Sequence, residues 1–285
     1  MTSPDTLLVS PTEALDLQKQ GALIIDVRDG DDYKTEHIAG AVSIPQIFYH
    51  LSTTTDEELT QSKVVFEELF RRVGVTSETL VILYEDGFAS RFGGSFRGWW
   101  WLNFFGHDKV VVLDGGYTAW KAAELPVDDA VVPRERSDFQ IQLNDSVLAR
   151  KDDVLAAIDD ENVVLLDNRD AVEWYCEGSS PYDKPGEDFS PRRGRIPGAT
   201  WVEWTELMDD SDSPTFKSAE EIRSIMSENG ITPEDDVIIY CFKGSRASNT
   251  FAALKSAGFH KLRNYLGSWY EWAADDSLPI EVGGR

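Results

Sequence analysis

Residues 237–247 read Val-Ile-Ile-Tyr-Cys-Phe-Lys-Gly-Ser-Arg-Ala, and this stretch decides the fold. Its first four residues are apolar and β-prone, which predicts a short buried strand, and Ala247 opens a helical stretch. The residues from Cys241 to Arg246 therefore form a six-residue loop between the carboxyl end of a strand and the start of a helix. Open α/β sheets bind their ligands at this kind of position.

Cys241 is a candidate nucleophile. A thiol reacts as its thiolate, which is a minor species for an ordinary free cysteine at neutral pH. The backbone N–H groups at the start of the following helix, together with Lys243 and Arg246, favour the anion. Gly244 lets the loop curl so that its amides point at one centre. The alternative is a buried, inert cysteine at a strand end, and the glycine and the two cations argue against it.

The chain also contains an internal repeat, and the quoted stretch belongs to its second copy. Four landmarks recur in the same order, at offsets of 141, 158, 156 and 152 residues. They are LIIDVR (23–28) with VLLDNR (164–169), IAGA (38–41) with IPGA (196–199), LVILY (80–84) with DVIIY (236–240), and Gly115, Tyr117 and Trp120 with Gly267, Trp269 and Trp272. The second copy carries 17 extra residues between Cys176 and Arg195, a segment rich in Pro, Gly and charge that we interpret as an insertion loop.

Short apolar strands alternate with helical stretches in each copy. The predicted helices include Pro11–Gln20, Gln61–Val73, Phe92–Phe105, Lys151–Ile158, Ala219–Asn229 and Ala247–Ala257. This alternation predicts an α/β fold with two tandem domains, each a mainly parallel sheet flanked by helices on both faces. We expect one domain over 1–128, a polar, acidic linker over 129–146 and a second domain over 147–285.

Composition narrows the class of protein. The 285 residues include 51 Asp and Glu against 27 Lys and Arg, a net charge of -24 that repels nucleic acid and anionic membranes. Adaptation of the whole surface to high salt is favoured over an acidic partner surface, because Arg exceeds Lys and Asp pairs recur in both halves.

No apolar run approaches the ~20 residues of a membrane span, and the N-terminus lacks a signal-peptide pattern, so we expect a cytoplasmic protein. Two cysteines cannot form a disulfide framework, and the four histidines lack metal-ligand spacing, so we expect no metal.

The order of these motifs resembles the rhodanese domain: Asp-x-Arg, then Ile-Pro-Gly-Ala, then strand, cysteine loop and helix, then Gly-x-Trp. Two copies with the cysteine in the second alone resemble the tandem thiosulfate sulfurtransferases, over about residues 7–279. The resemblance implies that Cys241 takes a sulfane sulfur as a persulfide and passes it to a thiophilic acceptor such as cyanide. It implies no cofactor, and we expect a monomer.

The resemblance also suggests roles for individual residues. Arg169 is the candidate for binding an anionic donor, with a purely structural pairing to Asp167 as the alternative. Lys243 and Arg246 are further candidates for donor binding. Phe242, Gly244 and Ser245 belong to the loop that would cradle the persulfide.

The first copy lacks the nucleophile. Glu85, followed by Asp86, stands where Cys241 falls in the second copy, so the resemblance implies an inactive domain. Its glycine and aromatic run, Gly93 to Trp101, is interpreted mainly as core or inter-domain packing. Arg28 is expected to be structural. Arg195 departs from a histidine that often precedes Ile-Pro-Gly in the family and that the first copy keeps as His37, and we interpret Cys176 as incidental.

Three alternatives remain. A 3-mercaptopyruvate sulfurtransferase tends to have small residues after the cysteine, whereas Lys243 here offers a charge to the thiosulfate dianion. A rhodanese-related cysteine phosphatase needs five residues between its cysteine and arginine, and four lie between Cys241 and Arg246. A non-enzymatic persulfide-binding module is disfavoured by the intact cysteine loop.

Overall fold

The computed structural model describes residues 7–88, 90, 92–211 and 214–283. The chain divides into two compact units, each built around one copy of the repeat. Unit 1 comprises residues 1–50, 60–144 and 210–215, and unit 2 comprises residues 51–59, 145–209 and 216–285. Within the described residues, no helix is long and apolar enough to cross a membrane.

Unit 1 is built on a five-stranded sheet in the order β1-β6-β5-β2-β4, in which every pair is parallel. Its strands are β1 (Leu8–Val9), β2 (Leu23–Asp26), β3 (His37–Ile38), β4 (Val42–Ser43), β5 (Val81–Tyr84), β6 (Val110–Leu113) and β7 (Val127–Asp128). Its helices are α1 (Pro11–Lys19), α2 (Gly30–Thr35), α3 (Gln46–Tyr49), α4 (Asp56–Arg72, whose first residues lie in unit 2), α5 (Gly94–Phe104) and α6 (Gly116–Ala122). Strands β3 and β7 form a separate antiparallel pair.

Unit 2 repeats this plan in the order β10-β9-β11-β12-β8, again with parallel pairs throughout. Its strands are β8 (Leu148–Ala149), β9 (Val163–Asp167), β10 (Thr200–Trp201), β11 (Asp236–Tyr240) and β12 (Lys261–Tyr265). Its helices are α7 (Lys151–Ala157), α8 (Ala171–Trp174), α9 (Ala219–Glu228), α10 (Ser245–Ser256) and α11 (Ser268–Ala273). Short 3₁₀ turns cover Asp145–Val147 and Trp204–Leu207.

The predicted parallel α/β architecture is confirmed in both units. The strands read as continuous apolar runs because helices cover both faces of a parallel sheet, and all four residues of β2, β5 and β6 are buried. The central strands are β5 and β11, so Cys241 follows directly after the middle strand of its sheet.

The predicted helices are also present, with two earlier starts. Helix α4 begins at Asp56 rather than Gln61, and its first turn carries Asp56, Glu57 and Glu58, which suit the positive end of the helix dipole. Helix α10 begins at Ser245 rather than Ala247.

Much of the expected linker packs on unit 1. Residues 129–144 belong to that unit, Phe139 is buried there against Phe70, and the Ser137 backbone N–H donates to the Arg71 carbonyl at 3.0 Å. The boundary between the two units therefore falls after Asn144, because the segment before it packs on α4 through these two contacts.

The aromatic run of α5 is core, as expected. Trp100 and Trp101 are fully buried, and Trp101 stacks on Phe105 and packs on Phe66, both at 5.0 Å between ring centroids.

Candidate active site

The cysteine loop, residues 241–246, is held in place by the start of α11. The backbone N–H groups of Trp269 and Tyr270 donate to the carbonyls of Cys241 and Phe242 at 3.0 and 2.8 Å. The Ser268 hydroxyl accepts the Cys241 backbone N–H at 3.2 Å and donates to the Tyr265 carbonyl at 2.7 Å. The loop backbone is therefore fixed before any substrate binds.

Cys241 is buried, with 1% of its surface exposed, yet its sulfur is in a polar setting. The Gly244 backbone N–H donates to Sγ at 3.1 Å, at the N-terminal end of the twelve-residue helix α10. An N–H donor and the positive end of a helix dipole both stabilise a negative sulfur. The Cys241 sulfur thus has a polar neighbour although its side chain is buried.

Gly244 makes that contact possible. Its φ is +84°, a left-handed value that glycine adopts without strain. A Cβ at this position would lie 2.9 Å from the Leu266 carbonyl oxygen. The Gly244 carbonyl in turn accepts the Ser248 hydroxyl at 2.7 Å, so the peptide groups before and after Gly244 are both held.

Arg246 lies beneath the loop and not at its surface. Its guanidinium is 2% exposed and binds Glu173 of α8 through two hydrogen bonds, at 2.6 and 3.1 Å, and Asp170 at 2.9 Å. Burial alone would lower the pKa of Arg246, but attraction to Glu173, with smaller contributions from Cys241 and Asp170, raises it well above its ordinary value. Arg246 is thus a permanent positive charge whose field reaches the Cys241 sulfur.

Arg169 takes the arrangement that the sequence offered as the alternative. Its Nε and Nη2 bind the Asp167 carboxylate at 2.7 to 3.1 Å, Nη2 also donates to the Gly194 carbonyl at 2.8 Å, and the side chain is 1% exposed. The guanidinium carbon lies 4.7 Å from the Trp269 ring centroid. These contacts fix the end of β9 in the sheet.

The other predicted loop residues divide between core and surface. Phe242 is 2% exposed and packs among the rings of Tyr182, Phe189 and Tyr270, so its side chain belongs to the core. Lys243 is half-buried, and its Nζ lies 4.6 Å from the centroid of the Tyr182 ring. Ser245 is buried, and its hydroxyl has no hydrogen-bond partner among the residues the structure describes.

The equivalent loop in unit 1 has the same backbone frame with different chemistry. Tyr117 and Thr118 donate to the carbonyls of Glu85 and Asp86, matching the Trp269 and Tyr270 contacts. The Glu85 carboxylate accepts the backbone N–H groups of Gly94 and Ser95 at 3.2 and 2.9 Å, at the start of α5. A carboxylate of the chain itself thus fills the anion-binding end of this helix.

Three residues of the site were missed from the sequence: Glu173, Ser268 and Tyr182. The sequence held a signal for Ser268, because it aligns with a glycine, Gly116, in the first copy. The structure gives both residues left-handed φ values, 52° and 60°, at which a serine is unusual. Arg28 and His37 behave as structural groups, since Arg28 binds Asp26 and His37 lies 3.1 Å from Asp128. Arg195 replaces His37 in an equivalent contact, its guanidinium binding Glu281.

The site offers no set of metal ligands. In the parts of the chain with described coordinates, no group of three or more His, Cys, Asp or Glu side chains is arranged to hold a metal ion.

Comparison with known proteins gives a consistent family. A model of the rhodanese-like domain matches residues 10–123 and 150–275. A protein of Mycolicibacterium smegmatis, provisionally named a thiosulfate sulfurtransferase, is 31% identical over 99% of this chain and 100% of its own length. A 3-mercaptopyruvate sulfurtransferase of Escherichia coli K12 is 29% identical over 88% of this chain and 85% of its own length.

A solved structure extends the likeness to three dimensions. It shows an EanB variant that carries a cysteine persulfide in a tetrahedral intermediate state with ergothioneine. It is 25% identical to this chain, has a TM-score of 0.83, and covers 99% of this chain and 71% of the EanB chain.

Proposed function

Because the chain belongs to the rhodanese family of sulfurtransferases, we propose that it transfers the sulfane sulfur of thiosulfate, through a persulfide on Cys241, to a thiophilic acceptor such as cyanide. The observation that carries this proposal is the hydrogen bond from the Gly244 N–H to the Cys241 sulfur at the N-terminus of α10. That geometry supports a thiolate and the terminal sulfur of a persulfide alike.

The first half-reaction forms the persulfide. The Cys241 thiolate attacks the outer sulfur of thiosulfate, a new S–S bond forms, and the S–S bond of thiosulfate breaks so that its electron pair leaves with sulfite. Lys243 and the Ser245 hydroxyl are the groups we expect to bind the donor anion, and the buried charge of Arg246 supports the thiolate. Arg169 acts here as a positioning residue that holds the carboxyl end of β9 through Asp167.

The second half-reaction restores the enzyme. The carbon of cyanide attacks the terminal sulfur, the persulfide S–S bond breaks, and thiocyanate leaves while Cys241 becomes a thiolate again. Two half-reactions on one nucleophile predict ping-pong kinetics.

A second donor has its own support in the Escherichia coli relative. With 3-mercaptopyruvate, the Cys241 thiolate would attack the mercapto sulfur, and the C–S electron pair would leave on the enolate of pyruvate. Lys243 favours thiosulfate, because a point charge gains more from a dianion than from a monoanion.

Mass spectrometry after incubation with thiosulfate alone tests the nucleophile. We expect one added sulfur atom on Cys241, none in Cys241→Ser, and full activity in Cys176→Ser as the matched control. Added mass on Cys176, or activity in Cys241→Ser, would contradict the assignment.

Steady-state kinetics with both donors side by side test the substrate. Lys243→Ala should lose about 2 kcal/mol of transition-state binding to thiosulfate, the scale of a hydrogen bond to a charged group, and less with 3-mercaptopyruvate. Equal losses would show that Lys243 serves the thiolate and not the donor, and a higher wild-type kcat/KM for 3-mercaptopyruvate would favour the second candidate.

A further inference from the structure

The insertion between Cys176 and Arg195 reaches the cysteine loop. It has no counterpart in the first repeat, and it carries Tyr182, whose ring centroid lies 4.6 Å from Nζ of Lys243. That distance is within the range of a cation–π contact. Lys243 is two residues from the nucleophile, so the insertion touches the group that the proposed function assigns to the donor.

The backbone beside Tyr182 is firmly held. The Asp183 carboxylate accepts the backbone N–H groups of Ser179, Ser180 and Phe189 at 2.6, 3.2 and 2.8 Å, and both serine hydroxyls as well. Burial would raise the pKa of Asp183, but the hydrogen bonds from the three backbone N–H groups and the Ser179 hydroxyl lower it below its ordinary value. The carboxylate therefore stays charged and keeps the turn closed at neutral pH.

The insertion is also fastened to the element that supports the loop. The Arg192 guanidinium donates to the carbonyls of Trp272, Ala273 and Leu278 at 2.6, 2.9 and 3.0 Å, and to that of Asp275, at the C-terminal end of α11. The Tyr182 ring packs on Phe242 at 5.6 Å between ring centroids. The ring is thus fixed on one side by the core and offers a face to Lys243.

We propose that Tyr182 is a positioning residue for donor recognition, whose ring face holds the Lys243 ammonium where it meets the anionic end of thiosulfate. The inference rests on the proposed function. A lysine side chain loses much rotamer freedom when it is fixed by a ligand, and a contact that fixes it beforehand removes part of that cost from binding. The effect belongs to donor affinity and grows with the charge of the donor.

The test compares Tyr182→Leu, which removes the ring, with Tyr182→Phe, which keeps the ring face and loses the hydroxyl. In Tyr182→Leu the KM for thiosulfate should rise roughly two- to fivefold with kcat unchanged, and the KM for 3-mercaptopyruvate should rise less. Tyr182→Phe should keep the wild-type KM. Phe189→Leu is the matched control, because Phe189 packs on the same Phe242 ring from the same insertion, and it should keep the wild-type ratio between donors.

A double-mutant cycle separates the two proposals. In a Lys243→Ala background, Tyr182→Leu should add no further rise in KM for thiosulfate. If Lys243→Ala raises KM while Tyr182→Leu leaves it unchanged, or if the two effects add fully, the role of Tyr182 is overturned and the proposed donor site stands. If Lys243→Ala itself leaves the thiosulfate KM unchanged, the donor site fails and the inference fails with it. If Tyr182→Leu does not fold, Tyr182→Met replaces it, because methionine is similar in volume to leucine and also lacks the ring.

Discussion

At the position after the central strand, the two repeats carry side chains of different chemistry. Cys241 and Glu85 follow equivalent central strands, and the carbonyl of each accepts a backbone N–H from the start of the equivalent helix, α11 or α6. Glu85 reaches the amides of Gly94 and Ser95 with its own carboxylate, so the helix terminus is satisfied internally. The shorter Cys241 side chain accepts one loop amide and retains a nucleophilic atom there.

Gly244→Ala should impair the site without unfolding unit 2. An alanine at φ +84° costs about 1 kcal/mol, and its Cβ would press on the Leu266 carbonyl, so the peptide that donates to Cys241 must move. We expect kcat/KM to fall by at least about tenfold, because small displacements of a catalytic donor are costly.

Gly258→Ala is the matched control for that change. Its φ is +92°, and a Cβ there meets no atom within 4 Å, so it carries the same backbone strain without the contact. Thermal melting should show destabilisation of both variants, larger in Gly244→Ala because of its added contact with Leu266, and kinetic assays should show a loss in Gly244→Ala alone. An equal loss of activity in both would contradict the role given to the Gly244 amide.

At the scale of elements, the buried pair Arg246–Glu173 joins α10 to α8. Glu173→Ala should lower the free energy of unfolding by about 3 kcal/mol, because it removes the buried carboxylate that binds the Arg246 guanidinium and leaves the pair with the more exposed Asp170. Urea denaturation followed by tryptophan fluorescence measures the change.

Lys34→Ala serves as the comparison, since both side chains of its pair with Asp31 are exposed to solvent and the pair should contribute little to stability. Similar losses in Glu173→Ala and Lys34→Ala would show that the buried pair does not anchor α8 to α10.

The helices and strands were the features best predicted from the sequence. The runs that became β2, β5, β9 and β11 are apolar because both faces of a parallel sheet are covered, and this pattern is local. The contacts of the insertion could not be predicted from the sequence. The approach of Tyr182 to Lys243 depends on the Asp183 turn and on hydrogen bonds from Arg192 to carbonyls some 80 residues away. Arg169 could not be decided either, since its Asp-x-Arg spacing suits donor binding and internal pairing equally well.

At the scale of the whole molecule, a segment of the first repeat belongs to unit 2. Thr54 donates its backbone N–H and hydroxyl to the Glu271 carboxylate at 2.8 to 3.1 Å, and its hydroxyl accepts the Lys151 N–H at 3.0 Å. Glu271 follows Ser268, which holds Cys241, by less than one helical turn. Thr54, which comes from the first repeat, therefore contacts the same helix, α11, that holds the cysteine loop.

Thr54→Val should therefore cost stability and Thr54→Ser should not. The valine keeps the shape and removes the hydroxyl from a buried carboxylate, which predicts a loss of about 1 to 3 kcal/mol, whereas serine keeps the hydroxyl. Denaturant unfolding gives the stability, and the rate of persulfide formation on Cys241 reports the loop. A Thr54→Val protein as stable as Thr54→Ser would rule out the hydroxyl as an anchor.

The net charge of -24 predicts an opposite response of stability and donor affinity to salt. Ion pairs such as Lys19–Asp16 and Arg136–Glu68 lie exposed on the surface and contribute little to stability, so screening them costs little. Screening the excess of negative charge relieves self-repulsion, and the Debye length falls from ~10 Å at 0.1 M to ~3 Å at 1 M salt. The melting temperature should therefore rise over this range, while the KM for thiosulfate also rises, because salt weakens its attraction to Lys243. Calorimetry measures the melting temperature and steady-state kinetics measure the KM, both in the same buffers. A melting temperature that does not change with salt would contradict adaptation to high salt and leave an acidic partner surface as the reason for the negative charge.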